Sequence, residues 1–401
     1  MRWELALTLL LCAAGVLAQD GTGAEDPAGA GAGAGAAAGG APRYEVTEPS
    51  ECKQYPCLIF EELFENLDLK TWEHEITASG NGNWEFQTYT NNRSNSFVKE
   101  DKLYIKPTLT DDQYGEDFVY GGSLDLWGGN GNNDDCTGNQ FFGCYREGPG
   151  FNPQTREKNP GEIINPVKSA RLRTKDSFAF KYGHIDVTAK MPKGDWLWPA
   201  VKLIPKYTSY GKWPASGEID IIESRGNFNI TGDFGQALGA GVVQSTLHWG
   251  PYWQANGFFR TIAGKPLDHD GFHKYGVTWT KDFIKFYIDN QPLMEINPET
   301  NFFEFGMYEK FLDIANPWSG GTKMAPFDQE FYLAINLAVG GTNGYFSDLW
   351  TYAPTTKPWA NLAQFPMRDF WEKKEEWYPT WQGDESAFVV DSIRVWKIEE
   401  D

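Results

Sequence analysis

Short runs in which apolar and polar residues alternate recur along the chain from about residue 51 onward, between clusters of Gly, Pro, Asn and Asp. A period of two is typical of β-strands with one buried face. The segment Ile288-Asp-Asn-Gln-Pro292 predicts a hairpin turn between two such strands. Many short strands with turn-rich links predict an all-β fold, built as an antiparallel sandwich. The clearest runs are Lys102–Lys106, Gly183–Lys190, Tyr275–Trp279, Phe283–Ile288 and Phe388–Trp396.

One helical run and one long loop interrupt the strand pattern. Residues Arg368–Trp377 have the spacing of a short helix, whereas Gly128–Pro166 is rich in Gly, Asn and Pro and holds two cysteines. Because that stretch is too long for an ordinary connection, we predict a functional or disulfide-tied loop there. Neither an internal repeat nor a second change of composition follows, so we expect one domain over residues 51–401, closed by its terminal strand.

The N-terminal segment has the pattern of a secretory signal peptide over residues 1–18. Arg2 precedes the apolar run Leu5–Leu11, and Val16 and Ala18 precede a cleavage site before Gln19. A membrane anchor is the alternative, but the apolar run is too short to span a bilayer. Residues 19–50 are mostly Gly and Ala in their first part and predict a flexible leader. We therefore expect a secreted, extracellular protein.

Four of the five cysteines lie outside the predicted signal peptide, and together with two sequons they agree with an oxidising compartment. Four cysteines allow three connectivities, and pairing between sequence neighbours is the simplest hypothesis, with a zinc site as the alternative. A zinc site is disfavoured because His does not occur close to either pair in sequence. The sequons Asn92-Arg-Ser94 and Asn229-Ile-Thr231 predict glycosylation at both asparagines. The predicted disulfides are Cys52–Cys57 and Cys136–Cys144.

Composition narrows the classes of partner. The 401 residues include 35 Lys and Arg against 55 Asp and Glu, and the net charge of −20 repels phosphate backbones and anionic lipids. We therefore expect neither nucleic acid nor a membrane as partner. The 17 Trp and 18 Tyr exceed the usual need of a core and indicate a surface on which flat, apolar faces such as sugar rings or bases stack. A neutral polymer fits both features.

Three carboxylates lie close together in the β-like run Glu218-Ile-Asp220-Ile-Ile-Glu223. In a regular strand Glu218 and Asp220 share one face, while Glu223 points to the other. One inserted residue, a β-bulge near Ile221 and Ile222, returns Glu223 to the face of the other two acids. We therefore predict a concave face that carries all three carboxylates.

Paired carboxylates beside an aromatic cleft are the machinery of glycosidic cleavage, in which one attacks the anomeric carbon and the other protonates the leaving oxygen. A third acid between them can hydrogen-bond the nucleophile. Clustered acids also repel one another, so at least one pKa should rise. A solvated acidic strand edge and a calcium site are the alternatives, although the Asp/Asn/Gly pattern of calcium loops is absent from the sequence here.

The hexad resembles the bulged signature of family 16 glycoside hydrolases, in the laminarinase (endo-1,3-β-glucanase) branch with the β-1,3-glucan-recognition proteins of animals. The resemblance covers nearly all of the chain from about residue 50. It extends to the segments Asp125–Gly129, Ile164–Thr174, Pro192–Ala200, Trp213–Gly217, Thr246–Gly250 and Ile335–Gly341.

This resemblance implies a β-jelly-roll sandwich of two antiparallel sheets with an open substrate cleft, and a retaining double displacement that needs no cofactor. Glu218 matches the nucleophile, Asp220 the assisting carboxylate and Glu223 the general acid/base. A structural calcium ion far from the cleft is also implied, with Asp391 as one ligand. The matching substrate-binding residues are the aromatics Trp198 and Trp213 and the polar residues Arg173, Asn165 and His248.

Two departures from the family pattern stand out. Lys202 lies where many relatives have an aromatic residue, which removes one expected sugar contact. Insect-type recognition proteins usually carry an extra N-terminal glucan-binding module, and the residues that precede the predicted domain are too few for one. Those relatives also lack one or more of the three acids that are present here.

We therefore expect a secreted, monomeric endo-1,3-β-glucanase that hydrolyses internal bonds of laminarin-like β-1,3-glucan with retention. The alternative is a β-1,3-glucan-binding pattern-recognition protein of innate immunity, and the acid triad separates the two because binding alone does not need it. A third hypothesis keeps the fold but changes the polymer to mixed-linkage glucan, xyloglucan or algal galactan.

Overall fold

The computed structural model describes residues 46–128 and 135–399. The predicted signal peptide and the predicted leader up to residue 45 lie outside the described residues. Strands make up most of the regular structure of the described part, as the alternating pattern predicts. The strands are β1 (Cys57–Glu62), β2 (Glu73–His74), β3 (Gln87–Tyr89), β4 (Ser96–Val98), β5 (Leu103–Ile105), β6 (Thr108–Leu109), β7 (Ser123–Asp125), β8 (Tyr145–Glu147), β9 (Val167–Ser169), β10 (Arg171–Arg173), β11 (Ala179–Phe180), β12 (Gly183–Lys190), β13 (Leu197–Pro205), β14 (Glu218–Ser224), β15 (Asn229–Thr231), β16 (Val242–His248), β17 (Ile262–Pro266), β18 (His273–Trp279), β19 (Ile284–Ile288), β20 (Gln291–Ile296), β21 (Phe331–Val339), β22 (Thr351–Ala353) and β23 (Phe388–Lys397).

Most of these strands belong to two large antiparallel sheets. The first sheet has the order β20-β19-β18-β12-β23-β5-β4, and β1 also pairs with β23. The second has the order β17-β16-β14-β13-β21-β10-β2, and β11 also pairs with β21. A small three-stranded sheet (β3-β9-β6) and the ribbons β15-β22 and β7-β8 flank them. The predicted all-β antiparallel sandwich is confirmed.

The hydrophobic core lies between the two large sheets. Strand β12 alternates strictly between buried and half-buried positions, so its period of two buries one face. Its inward residues Ile185 and Val187 join Val201 and Leu203 of β13 in one continuous core cluster. The cluster begins at Ile59 and ends in the terminal strand, which lies inside the first sheet. The terminal strand therefore closes the sandwich, as predicted.

The predicted turns and helix are also present. Strands β19 and β20 are joined by Asp289 and Asn290, both at positive φ, which suits a two-residue hairpin turn. The predicted helical run near the C-terminus forms two short helices, whose buried residues Phe370, Trp371 and Trp377 belong to the core cluster. The helices of the described chain are α1 (Asp111–Tyr114), α2 (Glu116–Gly121), α3 (Phe302–Phe305), α4 (Tyr308–Phe311), α5 (Pro366–Glu372) and α6 (Lys374–Trp377).

Both predicted disulfides are present. Cys52 is bonded to Cys57 and Cys136 to Cys144, with Cα atoms 5.9 and 5.6 Å apart. The second bond closes part of the predicted long loop, whose residues 129–134 lie outside the described part. The sequon asparagines at positions 92 and 229 are exposed, and their glycosylation remains a prediction. Among the described residues, helices are too short or too polar to cross a bilayer.

His74 in the second sheet is a buried histidine whose protonation is disfavoured by the fold. Its buried imidazole lies 2.7 Å from Ser96 Oγ and 3.0 Å from the Arg93 guanidinium. Burial, together with the charge of Arg93, lowers the pKa of His74 from 6.5 to about 4. As the pH falls from 6.5 to about 4, the His74 imidazole is protonated in the unfolded chain but not in the folded chain. The free energy of unfolding therefore decreases over this range.

We predict that His74→Gln reduces the loss of stability between pH 6.5 and 4. The measurement is the urea midpoint of unfolding at several pH values in that range. His269→Gln, in the loop between β17 and β18, is the control. An unchanged pH dependence in the His74 variant would show that other groups control acid sensitivity.

Candidate functional site

The β-bulge in β14 sets the orientation of the three acids. The ladder between β14 and β16 shifts register between Asp220 and Glu223, and the ladder between β14 and β13 shifts opposite the same segment. The bulge is therefore where the sequence predicts it. Ile219 and Ile222 pack into the core, and the acids lie on the outer face of the second sheet. Glu218, Asp220 and Glu223 are thus brought together.

Lys202 lies at the centre of this acid cluster. It is paired with Asp220 across the β13–β14 ladder, so both side chains stand on the same face. Its Nζ atom is 2.9 Å from Glu218 Oε1, 3.1 Å from Asp220 Oδ2 and 3.4 Å from Glu223 Oε1. Its side chain is only 12% exposed. One largely buried ammonium group therefore bridges all three predicted catalytic acids.

The charges in the cluster change one another's protonation. Burial alone would lower the pKa of Lys202, but the attraction of the three carboxylates raises that pKa well above its ordinary value. Burial would raise the pKa of Glu218, yet Lys202 beside it lowers this pKa below its usual range. Burial raises the pKa of Asp220, and repulsion from Glu218 and Glu223 adds to the rise. The predicted rise within the acid cluster therefore falls on Asp220.

His248 lies beside the cluster, as predicted, and contacts Asp220. Its Nε2 atom is 3.2 Å from Asp220 Oδ2, and its residue is paired with Glu218 across the β14–β16 ladder. Burial lowers the pKa of His248, whereas its hydrogen bond to Asp220 and the nearby carboxylates raise it, and the net direction is upward. These carboxylates therefore favour the imidazolium form.

Asn256 opposes that protonation. Its Oδ1 atom accepts hydrogen bonds from the backbone N–H groups of Trp249 and Phe258, which fixes the orientation of the amide. The amide nitrogen then faces His248 Nδ1 at 2.8 Å and needs an acceptor there. This geometry fits a neutral imidazole with its proton on Nε2, and we favour it because the fixed amide leaves no acceptor for a proton on Nδ1. Lys202 then carries the positive charge of the cluster.

Trp213 offers an open aromatic surface at the Glu218 end of the site. Its side chain is 47% exposed, and its Nε1–H donates to Glu218 Oε2 over 3.1 Å. The ring centroid lies 5.5 Å from that of His248, and the His248 ring in turn lies 5.7 Å from that of Phe258. An exposed indole face next to hydrogen-bonding groups is what the predicted sugar-stacking role requires.

Trp198 has a different environment from the one predicted. It is only 4% exposed, and its ring stacks on Tyr345 at a centroid distance of 3.8 Å and an interplanar angle of 6°. The Arg225 guanidinium lies 3.7 Å from the Tyr345 ring. The Trp198 indole N–H donates to Glu223 Oε1 over 3.2 Å. Trp198 therefore lacks the open ring face that sugar stacking needs and instead positions Glu223.

Arg173 lies in the same row across the sheet as Lys202. Both residues are paired with Ala334 of β21, so the small alanine separates their side chains on the outer face. The Arg173 guanidinium binds Glu73 through two hydrogen bonds of 2.7 and 3.0 Å and also contacts Glu75 at 3.3 Å. Burial alone would lower the pKa of Arg173, but Glu73 and Glu75 raise it above its ordinary value. Arg173 is thus on the predicted face, with its charge already paired.

Asn165 does not line an open cleft in the structure. Its residue is 2% exposed, and its amide nitrogen donates to the backbone oxygen of Gln87 over 3.2 Å. The sequence analysis missed the buried Glu85, which accepts hydrogen bonds from Gln87 Nε2 at 2.7 Å and Asn83 Nδ2 at 2.8 Å. Burial raises the pKa of Glu85. The alternation of Glu85, Gln87 and Tyr89 was the available signal.

The acidic residues at both candidate metal sites are each in contact with a lysine. Asp391 Oδ1 faces the Lys102 ammonium at 3.7 Å, and its Oδ2 accepts a hydrogen bond from Ser392. This carboxylate is thus paired with a cation, and the structural calcium ion with Asp391 as a ligand stays a prediction. In the described chain, one group of three His and acidic side chains has ligand atoms within 4.8 Å of one another, Glu218, Asp220 and His248. Lys202 already binds oxygens of the two acids there.

Comparisons with known proteins identify the family to which the chain is similar and its relatives. The model of glycosyl hydrolases family 16 matches residues 154–330. The β-1,3-glucan-binding protein of Penaeus monodon is 50% identical over 90% of this chain and 95% of its own length. The β-1,3-glucan-binding protein 1 of Galleria mellonella is 32% identical over 85% of this chain, which spans 64% of that protein.

A solved structure supports the same fold. The laminarinase from Rhodothermus marinus aligns with a TM-score of 0.51 at 21% identity, over 86% of this chain and 100% of that one. At this identity the likeness shows the fold alone. The predicted jelly-roll sandwich is confirmed.

We predict that truncation of the two tryptophans of the site affects stability to very different extents. Trp198→Ala removes a buried ring and should lower the free energy of unfolding by about 3–5 kcal/mol. Trp213→Ala removes an exposed ring and should change it by less than about 1 kcal/mol. Urea unfolding followed by circular dichroism measures both. Equal losses would contradict the assignment of Trp198 as the buried, positioning residue.

Proposed function

Because the chain belongs to glycosyl hydrolases family 16, within the group of the β-1,3-glucan-binding proteins, we propose that it binds β-1,3-glucan. The glucan lies on the outer face of the second sheet. The observation that carries this proposal is the exposed Trp213 face, which stands directly beside hydrogen-bonding groups of Glu218 and His248. A site that binds a pyranose ring needs both an aromatic side chain on which the sugar can stack and polar groups that hydrogen-bond its hydroxyls.

The names of the relatives support this choice of polymer. The Penaeus monodon protein covers nearly the whole chain at 50% identity and is named for β-1,3-glucan binding. The predicted signal peptide and the two disulfides suit a secreted, extracellular protein. We therefore propose recognition of microbial β-1,3-glucan outside the cell, by a monomer, as the role of this chain.

Hydrolysis of the same glucan is the second candidate function. It is favoured by one observation, the placement of Glu218, Asp220 and Glu223 on a single face by the bulge. In a retaining reaction Glu218 would attack the anomeric carbon and Glu223 would protonate the leaving oxygen. This chemistry needs carboxylates that are free to react, but in the structure Lys202 binds both Glu218 and Glu223. We therefore propose binding as the first candidate function and hydrolysis as the second.

We predict that Trp213→Ala weakens laminarin binding roughly tenfold, because the loss of a stacked ring is expected to remove about 1.4 kcal/mol of binding free energy. Isothermal titration calorimetry with laminarin measures the affinity. Phe311→Ala, which removes an exposed aromatic ring in α4, is the matched control and should bind as the wild type does. Equal affinity in both variants would place the glucan elsewhere.

We further predict that the wild type binds laminarin but releases few reducing ends from it. The assay compares laminarin, mixed-linkage barley glucan, cellulose, xyloglucan and agarose, with wild type and Glu218→Gln side by side. Rapid release of short oligosaccharides from laminarin, lost in the variant, would establish an endo-1,3-β-glucanase instead. Binding to another polymer in preference to laminarin would contradict the proposed ligand.

A further inference from the structure

The contacts of Lys202 distinguish this acid cluster from a free pair of catalytic carboxylates. Its ammonium lies within 3.4 Å of one oxygen of each acid. We propose that Lys202 is an internal counter-ion that keeps the cluster in a glucan-binding, non-hydrolysing state, and that removing its charge releases hydrolysis. This inference rests on the proposed function, because it takes β-1,3-glucan as the ligand of the site.

The first reason concerns the nucleophile. Both carboxylate oxygens of Glu218 are engaged, Oε1 by Lys202 Nζ at 2.9 Å and Oε2 by Trp213 Nε1 at 3.1 Å. In a retaining reaction one of these oxygens must form a bond to the anomeric carbon while the bond from that carbon to the leaving oxygen breaks. A carboxylate held by an ammonium group shares its electron density with that cation and attacks poorly.

The second reason concerns the charge of the transition state. The sugar ring becomes positively charged in the oxocarbenium-like transition state of glycosidic cleavage. A fixed ammonium beside the nucleophile repels that charge, whereas it does not repel a neutral glucan in the ground state. Lys202 therefore raises the barrier to cleavage without weakening binding.

The third reason concerns the general acid. Glu223 must give a proton to the departing oxygen, and later take one from the water that frees the sugar from Glu218. Its Oε1 atom accepts hydrogen bonds from Lys202 Nζ at 3.4 Å and Trp198 Nε1 at 3.2 Å. A proton on Oε1 would face two N–H donors, so this oxygen of Glu223 is unsuited to proton transfer.

A purely structural ion pair is the competing explanation. Buried acids without a counter-charge are costly, and loss of Lys202 leaves three of them close together. The test therefore uses two neutral replacements, Lys202→Met and Lys202→Gln, and one charged replacement, Lys202→Arg. Lys206→Met, in the loop directly after β13 and paired with Glu330, is the control outside the cluster.

Each full-length variant is tested for laminarin binding by calorimetry and for release of reducing ends from laminarin. We expect the neutral variants to bind within about threefold of the wild type and to release reducing ends at least about 100-fold faster. Lys202→Arg and Lys206→Met should remain inactive. Adding Glu218→Gln to Lys202→Met should abolish the gained activity.

The outcomes separate the two proposals. Neutral variants that fold and bind laminarin but release no more sugar than the wild type overturn the role of Lys202 and leave the binding function intact. Rapid hydrolysis by the wild type overturns it as well. If neither neutral variant folds, Lys202 is a structural counter-ion and the inference fails. A wild type that does not bind laminarin overturns the proposed function itself.

Discussion

The burial of three carboxylates on one strand is the constraint on which the site depends. The bulge in β14 turns Glu223 to the side of Glu218 and Asp220, and this creates a charge density that needs compensation. Lys202 supplies it from the neighbouring strand, at the position paired with Asp220. The same ammonium that makes the cluster stable in the folded state also occupies the oxygens that glycosidic chemistry would use.

The rest of the outer face is arranged around that cluster. Ala334 stands between Lys202 and Arg173, and its small side chain keeps the two cations apart on the sheet. Glu73 and Glu75 neutralise the arginine, as the three acids of the cluster neutralise Lys202. Against this largely satisfied ionic surface, an exposed aromatic ring is the natural contact for an uncharged polymer. This balance is why we propose recognition of a neutral glucan ahead of catalysis.

The local sequence pattern predicted those features of the site that depend on a single strand. The bulge and the shared face of Glu218, Asp220 and Glu223 were predictable because side-chain direction follows strand periodicity. Trp198 lies in a matching motif, yet its ring is covered by Tyr345, a residue far away in sequence. Motif similarity identifies a residue type at a position, but exposure depends on which distant segment packs upon it.

The sequence by itself determined the antiparallel sandwich and the acid cluster, because these follow from short-range alternation and motif similarity. It also favoured, among three connectivities, the two disulfide pairs that are present. Only the tertiary structure decided the state of that cluster. The contact of Lys202 with all three acids requires the pairing of β13 with β14, and the orientation of His248 requires the amide of Asn256. Side-chain charge is readable in a sequence, but its neutralisation depends on distances that only the folded sheet sets.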